Sequence, residues 1–141
     1  MEKISFLFVL TLTVSLVQAQ TIVGKWKTID DETGKPRSIV EIYQKGNEYY
    51  GKIVKLFREP SEPQDPVCEK CEDDRKGKKV IGMEIIRKMK KNGSEYEDGT
   101  IMDPKKGKVY DCKMWVEGGV LKVRGYIAFL YRTQTWQPYK E

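Results

Sequence analysis

Apolar and polar residues alternate in the C-terminal part of the chain. From Val109 to Glu117, Tyr110, Cys112, Met114 and Val116 fall on one face, and Asp111, Lys113 and Glu117 fall on the other. From Val120 to Tyr126, Leu121 and Val123 are opposed by Lys122 and Arg124. A period of two places one face on a core and the other in water, as in a half-buried strand. Six further segments read as strands by their β-branched and aromatic content: Gly24 to Ile29, Ile39 to Tyr43, Tyr49 to Phe57, Gly82 to Met89, Tyr96 to Met102, and Ala128 to Trp136. No segment carries a convincing stripe at the helical period.

Turn signals separate these segments. Asp31 to Pro36, Lys45-Gly46-Asn47, Asn92-Gly93, Asp103 to Gly107 and Gly118-Gly119 all combine residues that tolerate or favour turn conformations. Hairpin following hairpin, without a crossover helix, predicts an all-β fold: an up-and-down antiparallel barrel of about eight strands, with its edges removed by closure. One connection, Arg58 to Val80, is too long for a hairpin. A connection of that length is usually functional or tethered.

The N-terminus obeys a different rule. Ile4 to Val17 is an apolar run of fourteen residues, preceded by Lys3 and followed by Val17-Gln18-Ala19. That is the layout of a cleavable signal peptide over residues 1–19, leaving a single domain over residues 20–141. The run is short for a membrane-spanning helix, which needs about 20 residues. No cysteine stands at the cleavage point, so a lipid anchor is not expected. The reading is a periplasmic or secreted protein that does not span the membrane.

Lysine and arginine outnumber aspartate and glutamate by 26 to 21, a net charge of +5. The basic residues gather in turns: Arg75, Lys76, Lys78 and Lys79; Lys88, Lys90 and Lys91; Lys105, Lys106 and Lys108. They read as solvated turns, with affinity for an anionic envelope surface as the alternative. A nucleic-acid surface would show one basic stripe with interleaved aromatics. That pattern is missing, and export makes the partner unsuitable.

There are three cysteines and no histidine. In an oxidising compartment Cys68-Glu69-Lys70-Cys71 is expected to close as a structural disulfide, with redox exchange and a metal knuckle as alternatives. Cys112, on an apolar face, is expected to be a buried free thiol. Without histidine, Ser-His and Cys-His nucleophile pairs cannot form. No phosphate-cradling loop precedes a helix. The expectation is a non-enzyme with no cofactor and no metal.

Two resemblances add to this. Gly24-Lys25-Trp26 resembles the Gly-x-Trp of lipocalins, in which a late arginine packs over the tryptophan; Arg132 would match it. A longer set resembles an exported bacterial family, the domain of unknown function 2147. It comprises Gly24-Lys25-Trp26, Tyr50-Gly51-Lys52-Ile53, Cys68-Glu69-Lys70-Cys71, Gly99 to Pro104, Gly107 to Tyr110, Leu121 to Tyr126 and Arg132 to Trp136. The resemblance implies a lipocalin-like barrel in a Gram-negative envelope and no established activity. A glycine expected soon after the second cysteine is replaced by Glu72-Asp73-Asp74.

Barrels of this strand number either hold one small ligand or fill with their own side chains. The aromatic content favours a small, largely apolar or amphipathic ligand. Trp26, Tyr43, Tyr110, Arg124, Tyr126, Arg132 and Trp136 are the candidate ligand-binding residues. The alternative is a side-chain-filled barrel that binds an envelope protein partner through its outer face and the 58–80 loop.

Overall fold

A computed structural model describes residues 12–13 and 20–141. The expected leader, residues 1–19, lies outside the described residues apart from Leu12 and Thr13.

The eight expected strands all form: β1 (Gly24–Ile29), β2 (Pro36–Lys45), β3 (Glu48–Leu56), β4 (Glu84–Asn92), β5 (Glu95–Asp103), β6 (Lys108–Glu117), β7 (Val120–Ile127) and β8 (Leu130–Pro138). Each pairs antiparallel with the next, and β8 returns to β1 to close a barrel. The closing seam is short, carried by Trp26 opposite Pro138 and Lys27 opposite Gln137. Tyr139 prolongs it by donating its amide to the Lys25 carbonyl at 3.0 Å. Closure leaves no long edge for another chain to pair with.

The turns follow their residues. Gly118 and Gly119 both take positive φ, 59° and 78°, as a two-residue turn matched to the twist of its strands requires. The β7–β8 turn departs from this rule. It runs through Ala128 and Phe129, and Ala128 sits at φ 52° with no glycine, asparagine or aspartate to ease it.

One end of the barrel is packed shut. Trp26, Ile42, Tyr49, Met89, Tyr96, Met114 and Leu121 are buried there in one apolar cluster. The Trp26 indole donates to the Ile22 carbonyl at 2.8 Å, so its polar edge is satisfied at the barrel floor. Tyr49 and Tyr96 meet edge to face, with ring centres 4.8 Å apart. At the other end lie the β1–β2 loop, the long β3–β4 connection and the β5–β6 and β7–β8 turns.

The long connection is tethered. Cys68 and Cys71 form the expected disulfide. The Cys68 amide donates to the Lys78 carbonyl and the Gly77 amide to the Cys68 carbonyl, both at 2.8 Å. The disulfide lies against β5: the Cys71 sulfur is 3.7 Å from that of Met102. A Cβ on Gly107 would stand 2.0 Å from the Lys70 carbonyl oxygen, so only glycine lets the loop rest on the β5–β6 turn. Arg75 corrects the reading of its cluster as solvated. Its side chain is buried, paired with Asp73 and donating to the Glu84 carbonyl at 2.9 Å, which pins the loop to β4.

Candidate functional site

Two inward-facing glycines show how the two halves of the barrel differ. A Cβ on Gly51, in the closed half, would meet Ile86 and Val40 at 3.0–3.2 Å. A Cβ on Gly125, in the open half, would meet nothing nearer than Tyr110 and Ile101 at 3.6–3.8 Å. The space beside Gly125 belongs to a cavity of about 1490 Å³ that runs from the barrel interior into a vestibule under the long connection. It exceeds the roughly 300–1,000 Å³ of ordinary small-molecule pockets because it includes that vestibule.

The walls are mainly apolar: Ile53, Leu56, Ile85, Ile101, Val123 and Trp136 from the strands, with Val67 and Val80 from the connection. A few polar groups interrupt them. Thr28 and Ser38 share a hydroxyl hydrogen bond of 2.7 Å in the wall. The Trp136 indole donates to the Gln134 side-chain oxygen at 3.0 Å, and the Gln134 amide donates to Asp31 at 3.1 Å. Tyr110 enters from β6, half-buried. Apolar walls with sparse, placed polar groups suit a largely apolar guest with a polar end.

The rim is charged and cross-linked. Arg37, at the start of β2, reaches Asp103, at the end of β5, at 3.0 Å. Asp31 of the β1–β2 loop pairs with Arg132 at 3.2 Å. The loop is shaped by Asp30, whose carboxylate accepts the amides of Thr33 and Glu32, each at 2.9 Å. Those amides hold its carboxyl below the ordinary range. Among the described residues, no cluster of histidine, cysteine, aspartate or glutamate is arranged to hold a metal ion.

The seven residues singled out from sequence divide. Tyr110, Arg132 and Trp136 line the cavity. Trp26 does not: it is buried in the closed end. Tyr43 is on the outer face, stacked on Tyr50 with ring centres 6.0 Å apart and donating to Glu84 at 2.5 Å. Arg124 and Tyr126 also face outward. Arg124 donates to Thr133 at 2.8 Å and lies over the rings of Trp115 and Tyr131. The expected packing of Arg132 over Trp26 is corrected as well, since Arg132 sits at the opposite end of the barrel. The residues not foreseen include Thr28, Ser38, Arg37, Val123, Gly125 and Gln134. Gly125 had a signal: it interrupts an apolar row after Leu121 and Val123, where a barrel interior would otherwise be filled.

Cys112 is free and buried, as expected. Burial pushes its thiol up to about 12, which disfavours the reactive thiolate.

Comparison with solved structures places the fold. The chain is similar to protein HP1028 from Helicobacter pylori, described as belonging to the lipocalin family. The TM-score is 0.72 at 14% identity, over 86% of this chain and 84% of that one. The fold is therefore a lipocalin-like closed barrel. Comparison with curated proteins finds no match. The family model described as "Uncharacterized protein conserved in bacteria (DUF2147)" matches residues 24–138, from the first strand to the last, and the chain belongs to that family.

Proposed function

We propose that this barrel binds a small, largely apolar or amphipathic molecule in its open half, without chemical conversion, outside the cytoplasm. The cavity of about 1490 Å³ carries the reading, because its apolar walls stand open where a filled barrel would have side chains. Burying apolar ligand surface there contributes roughly 25 cal/mol per Å². Tyr110, Thr28 and Ser38 supply hydroxyls for the polar end of the guest, and Arg132 and Arg37 stand at the rim. Export is supported by the fourteen-residue apolar run from Ile4 to Val17 and the small residues before Gln20.

The deciding experiment is native mass spectrometry of the protein purified from the envelope of its own host. The expected result is a reproducible added mass that disappears on organic extraction. A protein that emerges without added mass, and that fails to take up a lipophilic dye, overturns the ligand reading. The N-terminus of the same sample tests export: it is expected at Gln20 in the periplasmic or secreted fraction.

A further inference from the structure

The mouth of the barrel carries an apolar tip with no protein covering it. In the β7–β8 turn, Phe129 is 89% exposed and Leu130 is 64% exposed, with Ile127 and Tyr131 exposed beside them. Val109, exposed on the neighbouring β6, adds to the patch. A run of large apolar residues at a hairpin tip is costly in water and marks a contact surface. Its place is informative, because Ile127 and Leu130 also line the cavity. An apolar path thus runs from the outside of the protein over the rim and into the barrel.

The β5–β6 turn beside the tip is basic. Lys105, Lys106 and Lys108 stand exposed in and beside the β5–β6 turn at the same end of the molecule. Among the described residues, none of the three is in a salt bridge, although eleven ion pairs form elsewhere. Uncompensated lysines beside exposed aromatic and aliphatic side chains suit a negatively charged lipid surface: the apolar tips enter the acyl boundary while the ammonium groups meet the headgroups.

We infer that the β7–β8 turn is a membrane-docking tip that seats the open mouth of the barrel on an anionic bilayer. Docked in this way, the mouth faces the lipid, and an amphipathic guest can pass along Ile127 and Leu130 without crossing water. The inference goes beyond ligand binding and does not depend on it, since vesicle association reads the tip and native mass reads the cavity.

The test is flotation of the exported protein, beginning at Gln20, with vesicles of equal parts phosphatidylglycerol and phosphatidylethanolamine. The parent is expected to float with these vesicles and to be released by salt. The double variant Phe129→Ser, Leu130→Ser is expected to lose at least roughly tenfold in partitioning, since each side chain withdraws its apolar surface from the bilayer. The triple variant Lys105→Gln, Lys106→Gln, Lys108→Gln is expected to bind more weakly and to lose most of the salt dependence. As a local readout, Phe129→Trp is expected to show added fluorescence that brominated acyl chains quench. Failure of the parent to float, or equal flotation of the double variant, overturns the inference. So does a concentration-dependent dimer of the parent that the double variant abolishes, which would make the tip a contact between copies of the chain.

Discussion

Arg37 and Asp103 meet at 3.0 Å across the mouth of the barrel, although β2 and β5 are separated by two strands in the sheet order. Asp103 also accepts the Lys105 amide at 2.9 Å, so one carboxylate both shapes the β5–β6 turn and latches it to the opposite rim. The pair is partly exposed and lies over the cavity. Its influence should therefore fall on access more than on stability.

Asp103→Asn keeps an acceptor for the turn amide and removes the charge that Arg37 meets. The expected loss of stability is below about 1 kcal/mol. Release of a lipophilic probe such as N-phenyl-naphthylamine is expected to accelerate severalfold in stopped-flow measurements. An unchanged release rate would show that the pair does not gate the mouth.

Gly125 and Gly51 separate the open half from the packed half. Gly125→Leu would project into the cavity past Tyr110 and Ile101, where there is room. Probe affinity is expected to fall at least tenfold, with stability changed by less than about 1 kcal/mol. Gly51→Leu would be driven into Ile86 and Val40. It is expected to cost about 1–3 kcal/mol or more in chemical denaturation while leaving the cavity walls intact.

The two buried tryptophans, one in the closed floor and one in the cavity wall, should respond differently. Trp26→Phe removes the indole bond to Ile22 at the closed floor, at a cost of about 1 kcal/mol, and probe affinity should hold. Trp136→Phe removes part of the cavity wall and the indole bond to Gln134. It is expected to lower both stability and probe affinity. Titration of each variant with the probe, beside its denaturation curve, checks the contrast.

Cys112 gives a pH prediction. Burial raises its thiol from 9.0 to about 12, so between those values the folded protein keeps a proton that the unfolded chain loses. The unfolded state then binds fewer protons, and this contribution to stability is full below 9.0 and declines as pH rises toward about 12. A Cys112→Ala comparison of denaturation midpoints across that range isolates it. In the native state the thiol is expected to resist maleimide labelling, and to react once denaturant exposes it.

The sequence by itself determined the strands and their order of pairing. Alternation at Tyr110, Cys112, Met114 and Val116 depends only on the two-residue period of an extended chain, and Gly118-Gly119 and Gly93 fix their turns locally through φ. Cys68 and Cys71 lie close enough in the chain for their pairing to be read at once. The β7–β8 turn at Ala128 and Phe129 carried no such signal, because its positive φ is imposed by the pairing of Ile127 with Leu130. Which face turns inward was likewise a tertiary decision. On β7 and β8 both faces carry apolar and charged residues, and only closure of the barrel sent Arg132 and Trp136 to the cavity and Arg124 and Tyr126 to the outside. The cavity itself exists because β2, β5 and the long connection converge at one end while Trp26 and its neighbours fill the other. That convergence joins residues as far apart as Asp31 and Gln134, and no local pattern encodes it.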